Sequence, residues 1–178
     1  MQQSTAITAG TRAEFTALIE EHRRLVLKVA NSYARGPADV EDLAQEIAAQ
    51  VWRAFPGYDR SRRFSTWLYR IALNVAISWL RSETPRRRHS VPFDPGQHEP
   101  EAEGSADETD ADERQRILRG FIDSQEPLNR AVLLLYLEDR SYAEMSEILG
   151  VSETSLTTKI SRLKERLRNY AEKHHGTR

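Results

Sequence analysis

Residues 141–167 read S-Y-A-E-M-S-E-I-L-G-V-S-E-T-S-L-T-T-K-I-S-R-L-K-E-R-L, and this stretch decides the fold. It opens on Ser141-x-x-Glu144, a capping box: the serine hydroxyl takes an amide of the first turn, and the glutamate reaches back to the serine amide. The helix so begun, Tyr142 to Leu149, is two turns long. Gly150 stands where a helix end turns left-handed, a conformation glycine adopts without steric cost. Val151 can plug the core below the turn, and Ser152 can cap the next helix. On that helix Leu156, Ile160, Leu163, Leu167 and Tyr170 recur at alternating spacings of four and three, so they share one face. Short helix, glycine turn and capped longer helix form a helix-turn-helix layout.

The opposite face of the last helix is polar, then basic. Ser155, Thr157 and Thr158 come first and Lys159, Arg162 and Arg166 follow, with Lys164 and Arg168 on the flank. From Thr157 onward there are seven Lys or Arg and two Glu. Short polar side chains near a helix start can approach base edges, and the cations behind them can hold phosphates. A solvated face of an interaction domain has a similar composition, but the turn chemistry ahead of it points to DNA.

Upstream, Pro127 suits a first helical position and starts a helix to about Leu137. Another, near 113–123, carries Ile117, Leu118, Phe121 and Ile122. Before it the composition changes. No Lys or Arg occurs between Arg88 and Arg114, while nine acids do: Asp94, Glu99, Glu101, Glu103, Asp107, Glu108, Asp110, Asp112 and Glu113. The chain's net charge of −1 therefore becomes −1 + 9 = +8 without them. The stretch 89–112 is rich in Pro, Gly, Ser and acids and reads as a flexible linker. Two basic blocks joined by an acidic tether suit a nucleic-acid binder.

The first block, 11–88, is also helical by periodicity. Thr11-x-x-Glu14 is a second capping box, opening a helix that carries Phe15, Leu18, Ile19, Leu25 (or Val26), Val29 and Tyr33 to about Arg35. Gly36-Pro37 ends it. A helix from about Asp39 buries Val40, Leu43, Ile47, Val51 and Phe55, and Pro56-Gly57 stops it. After a basic loop, 57–63, a third helix over about 65–81 turns Leu68, Ile71, Ala72, Val75 and Trp79 inward. The expected fold is all-α: two small helical domains, 11–88 and 113–173, the second a helix-turn-helix.

Three surfaces in the first block invite a functional reading. Arg70, Asn74, Ser78 and Arg81 line one face of the third helix, with Trp67 at its edge, either as a core aromatic or as a stacking platform for an unpaired base. Arg60, Arg62 and Arg63, and the run Arg86-Arg87-Arg88, either neutralise phosphates or are simply solvated. Asp42, Gln45, Glu46 and Arg53 share an exposed face whose composition alone fits plain solvation.

Composition narrows the classes further. The 178 residues include no cysteine, which excludes disulfides, thiolate zinc sites and thiol catalysis. No apolar run reaches membrane-spanning length, and residues 1–10 lack a signal peptide's pattern, so a cytoplasmic location is the expectation. There is no Gly-rich phosphate loop, paired-carboxylate setting or metal spacing, and adjacent His174-His175 rarely converge on one ion. The expectation is a binding protein without cofactor, metal or enzymatic activity.

Residues 39–55 (D-V-E-D-L-A-Q-E-I-A-A-Q-V-W-R-A-F) and 64–81 (F-S-T-W-L-Y-R-I-A-L-N-V-A-I-S-W-L-R) resemble the second conserved region of extracytoplasmic-function sigma factors, and residues 141–167 resemble the fourth. The order, the acidic linker and the length match as well. The resemblance implies an alternative sigma factor whose Asp42-Leu43-x-Gln45-Glu46 face docks on RNA polymerase core, with the β′ and β subunits as partners. It implies that the 57–63 loop (Arg60, Arg62, Arg63) and the third-helix face (Trp67, Arg70, Asn74, Ser78, Arg81) read and open the −10 element of promoter DNA. The helix-turn-helix would read the −35 element through Ser155, Thr157, Thr158, Lys159, Arg162 and Arg166. An anti-sigma factor is an implied partner. Three departures stand out: Ser78 replaces an expected Asp, Gln125 to Arg130 replaces a Leu-Pro-x-Arg pattern, and Thr157-Thr158-Lys159 replaces Lys-Ser-Arg. A rival reading from the residues is a stand-alone helix-turn-helix regulator that dimerises; another is a helical adaptor.

Overall fold

The computed structural model describes residues 9–89 and 110–174, with side chains at 10–82 and 111–174. Every regular element among them is a helix. The first domain comprises α1 (Ala9–Glu21), α2 (Arg23–Tyr33), α3 (Pro37–Ala54) and α4 (Phe64–His89), with a 3₁₀ turn at Phe55–Gly57. The second comprises α5 (Asp110–Asp123), α6 (Pro127–Leu137), α7 (Tyr142–Leu149) and α8 (Glu153–His174). The expected linker is shorter at both ends, since α4 runs to His89 and α5 begins at Asp110. Residues 90–109 and the side chains of Arg86, Arg87 and Arg88 lie outside the described residues.

In the first domain α2, α3 and α4 enclose a core of Val29, Ala30, Leu43, Ile47, Val51, Leu68 and Ala72, all fully buried. Removing a Val, Leu or Ile side chain from water stabilises by roughly 1.5–3 kcal/mol. The turn from α2 to α3 rests on Gly36, whose φ of 84° an L side chain rarely adopts, and Pro37 starts α3 where its missing N–H is not needed. Phe15 of α1 packs edge-on against Trp52 and Phe55, with centroids 4.7 and 5.3 Å away.

Three expectations for this domain are corrected. The single helix expected over 11–35 is broken at His22, whose ψ of 15° departs from helix geometry; its Nδ1 contacts the Leu18 carbonyl at 2.9 Å and its ring packs on Phe64. α1 starts at Ala9, so Thr11 lies inside its first turn, and the Glu14 carboxylate goes to Arg60 instead of a cap. On α4 the fully buried face is Leu68, Tyr69, Ala72, Leu73 and Ala76, whereas Ile71, Val75 and Trp79 are only half-buried. The helix is turned to meet packing on more than one side.

The second domain follows its sequence closely. Phe121, Ala131, Val132, Leu135, Met145, Leu156, Ile160 and Leu163 form its core. Gly120 lets α8 approach α5, because a Cβ there would lie 2.8 Å from the Tyr170 hydroxyl oxygen.

The two domains meet. α6 and α7 lie against α2 and α4, and the Tyr33 hydroxyl donates to the Pro127 carbonyl at 2.8 Å. Arg130, 6% exposed, donates to the Ser32 carbonyl at 2.8 Å and to the Asp123 carbonyl at 2.7 Å. Its guanidinium sits 5.5 Å from the centre of the Tyr33 ring. The Tyr69 hydroxyl donates to Glu138, which also takes Lys28 at 2.5 Å.

Candidate nucleic-acid interface

The helix-turn-helix is built as its sequence reads. Ser141 Oγ accepts the Glu144 amide, and the Glu144 carboxylate accepts the Ser141 amide, each at 3.2 Å. That amide, the serine hydroxyl and nearby Arg140 and Arg63 hold the Glu144 carboxyl below the usual carboxylate range. Gly150 ends α7 in the left-handed conformation, φ 67°. Ser152 Oγ then accepts the Ser155 amide at 3.2 Å and caps α8.

Along α8 the buried stripe of Leu156, Ile160 and Leu163 faces inward and leaves the opposite side in solvent. An open groove there is lined by Ser155, Thr158, Lys159, Arg162 and Arg166, together with Val151, Thr154, Leu128 and Asn129. Five of the six expected residues thus converge. Thr157 does not line the groove; it is exposed, with its hydroxyl donating to the Glu153 carbonyl. Lys159 is half-buried and its Nζ lies 3.4 Å from Asn129 Oδ1. Sequence reasoning does not reach Leu128, Asn129 and Thr154; for the first two the available signal is Pro127, which places them in the first turn of α6. Lys164 lies over the Tyr136 ring at 4.5 Å and is thereby held off the groove.

In the first domain Arg70, Asn74, Ser78 and Arg81 are all exposed, as one strip of α4. Trp67 is half-buried among Tyr58, Phe64 and Phe55, with centroids at 4.9, 5.6 and 6.4 Å. The loop ahead of α4 is ordered by its own bonds: the Ser61 amide donates to Asp59, and the Tyr58 hydroxyl donates to the Arg62 carbonyl. Its cations are engaged. Arg60 donates twice to Glu14, at 2.8 and 2.6 Å, which holds the Glu14 carboxyl below its ordinary range. Arg62 and Arg63 reach Glu147 and Glu144 of α7, at 2.9 and 3.3 Å.

On α3, Asp42 and Gln45 are exposed and Glu46 is half-buried, accepting from Gln50 at 2.8 Å. Leu43 is fully buried, which corrects its place among the docking residues: it anchors the helix to the core and presents no surface. Beside this face runs a groove floored by Ile19, Val26, Val40 and Ala44 and edged by Gln45, Arg23 and Arg119. Among the described residues no cluster of three or more His, Asp or Glu could hold a metal ion, and no helix is long and apolar enough to cross a membrane.

Comparison with known proteins agrees with this division. Residues 18–86 match the family described as Sigma-70 region 2, and residues 122–167 match Sigma-70, region 4. The chain is 30% identical over 159 residues to "ECF RNA polymerase sigma factor SigE" of Mycolicibacterium smegmatis, spanning 88% of this chain and 61% of that protein. It is 26% identical over 171 residues to "ECF RNA polymerase sigma-E factor" of Haemophilus influenzae, spanning 92% and 90%. Among solved structures, CnrH in complex with the cytosolic domain of CnrY superposes with a TM-score of 0.65 at 20% identity, covering 92% of this chain and 91% of that one. The sigma factor RpoE in complex with the anti-sigma factor NepR, from Bartonella quintana, gives 0.67 at 18%, covering 89% and 97%. Those two likenesses speak to the fold. With both regions matched in order, each on its own helical domain, the chain belongs to the sigma-70 family of RNA polymerase sigma factors, in its extracytoplasmic-function group.

Proposed function

We propose that the chain is an alternative sigma factor that brings RNA polymerase core to its promoters and works there by binding alone. The observation that carries this reading is the α8 groove, where Ser155, Thr158, Arg162 and Arg166 stand together in solvent on a fully capped helix-turn-helix. Polar groups at that helix start would meet base edges of the −35 element in the major groove, with the arginines reading guanine or holding phosphate. The α4 strip and the loop at 58–63 would serve the −10 element. Unstacking a base there costs a few kcal/mol, offset by capture of the extruded base beside Trp67 and by phosphate contacts to Arg70 and Arg81. Asn74 has donors and an acceptor suited to a base edge.

The exposed Asp42 and Gln45, with Glu46 and the adjoining apolar groove, would dock on polymerase core through the β′ subunit, with β as a further contact. Both solved neighbours are held by another protein, one of them named as an anti-sigma factor, and we extend that kind of partner to this chain. Its place of action would be the cytoplasm, where the chromosome lies.

The test is in vitro transcription of fragmented genomic DNA by sigma-free core polymerase. Discrete transcripts that start only when the protein is added are expected, with start sites that align on shared −10 and −35 sequences. Absence of transcripts, together with tight binding to palindromic duplex without polymerase, would instead identify a stand-alone regulator.

A further inference from the structure

Arg60 differs from its neighbours on the 58–63 loop, because the carboxylate that holds it belongs to its own domain. Its Nε and Nη2 donate to the two Glu14 carboxylate oxygens at 2.8 and 2.6 Å, one bond to each oxygen. A paired fork of this kind fixes direction as well as distance, which a lone ammonium cannot do. The same guanidinium lies 5.9 Å from the centre of the Phe55 ring. With its charge matched by Glu14 at contact distance, the pair is neutral as a whole and has little counterion release to offer a phosphate.

Both ends of the pair are anchored on one buried ring. Phe15, next to Glu14 on α1, packs edge-on against Phe55, which is 1% exposed. Phe55 stacks on Tyr58 at 6.0 Å, and Tyr58 in turn meets Trp67 at 4.9 Å. The Tyr58 hydroxyl donates to the Arg62 carbonyl. Asp59 closes the turn between them, taking the Ser61 amide on its side chain and the Arg62 amide on its carbonyl. Contacts therefore run unbroken from Glu14 through Arg60, Phe55 and Tyr58 to Trp67, the ring beside which an extruded base would be held.

We propose that Glu14 is a positioning residue for −10 recognition: it pins Arg60 as a strut, so that the loop keeps one shape at the base-holding site, and Arg60 supplies no phosphate contact. This rests on the proposed function for what the loop binds. It deepens that reading by taking one loop cation off the DNA and adding an acid of α1 that acts through it. The two roles carry opposite signs. An acid that merely lay near DNA would repel it, and its loss would strengthen binding. An acid that shapes the loop is missed when it is gone. The strut needs no group of the second domain, because Glu14, Phe55 and Arg60 all lie in the first.

The test uses core polymerase reconstituted with the full chain, on promoters in which each −10 and −35 position is varied in turn. Glu14→Gln keeps a good helix former and removes the charge. It should narrow the lead of the preferred −10 sequence over its variants by up to about fivefold, the scale of an ion pair whose side chains are 59% and 38% exposed. The preference at −35 should stay as it is. Arg60→Lys keeps the charge without the fork and should act alike, and the double change should cost no more than either alone. Arg60→Ala should leave unchanged the salt slope for binding a single-stranded −10 oligodeoxynucleotide.

Stronger transcription with Glu14→Gln, additive losses in the double variant, or a salt slope that drops by about one with Arg60→Ala would put Arg60 on a phosphate and overturn the strut. A uniform fall across −10 and −35 variants would signal lost stability and overturn it too. A parent chain that transcribes, with Glu14→Gln keeping its full −10 preference, sinks the positioning role alone. No transcript from the parent sinks the proposed function, and the positioning role with it.

Discussion

On α8, Arg162 and Arg166 line an open groove and make no ion pair among the described residues; on the loop at 58–63, Arg60, Arg62 and Arg63 each hold a carboxylate. In sequence the two clusters look alike. The difference comes from where their acids originate. Glu14, Glu144 and Glu147 lie 46, 81 and 85 residues from the arginines they meet, so the fold alone brings them there. A run of arginines is a binding surface only after the fold has been searched for acids that reach it. Here one surface is ready and the other is engaged.

The strongest way to break this comparison is to remove the core that presents α8. Leu163→Ala should cost about 2–5 kcal/mol of stability, since the side chain is nearly fully buried and leaves a cavity. Denaturant unfolding should show this loss, and with it the promoter activity assigned to the groove should fall. An unchanged midpoint would mean that the stripe under α8 does not carry the domain.

Next comes the contrast itself. Arg162→Ala should weaken promoter binding by about 1–3 kcal/mol if its guanidinium reads a base. If it holds a phosphate, the salt slope should drop by about one. Arg62→Ala should leave DNA binding by the free chain almost unchanged, because its guanidinium is already engaged. Salt-titrated fluorescence anisotropy compares the two, and equal losses would erase the distinction between a ready and an engaged surface.

Gly150→Ala tests the turn that aims α8. Nothing lies within 4 Å of a Cβ built there, so the cost is the left-handed backbone alone, about 1–2 kcal/mol. Thermal melting should show that loss without loss of helix content.

The smallest effect is with pH. Burial raises the Tyr33 phenol, and burial with the Glu138 hydrogen bond raises the Tyr69 phenol. In the unfolded chain both should titrate near the ordinary value of about 10. The folded chain therefore holds these protons more tightly. The stability they contribute is full below about pH 10 and is lost as pH rises toward the folded-state values. The denaturant midpoint should stay constant from pH 7 to 9 and fall above about 10; a Tyr33→Phe, Tyr69→Phe pair that falls just as steeply would contradict this linkage.

Legibility in the sequence followed the range of the interactions. The capping box at Ser141 and Glu144, the left-handed Gly150 and the Ser152 cap all act within four residues, so they could be read directly. The break at His22 could not. Ile19 and Val26 are seven residues apart, two helical turns, and that spacing runs through the kink as though the helix were whole. The buried face of α4 is not legible either, because a stripe of Ile71, Val75 and Trp79 is as periodic as Leu68, Tyr69, Ala72 and Leu73. Only the position of the second domain, with Glu138 bonded to Tyr69 and Arg140 over its ring, accounts for the choice at that residue.

The sequence by itself determined the helical class, the two blocks, the turn chemistry of the helix-turn-helix and five residues of the α8 groove. Each follows from periodicity or from hydrogen bonds between near neighbours. Only the tertiary structure decided that Arg130 bridges two domains, that Tyr33 meets Pro127 across 94 residues, and that the loop arginines are held by acids of α7. Contacts at that separation leave no local pattern, because the side chains that make them are chosen by packing in space and not by spacing along the chain.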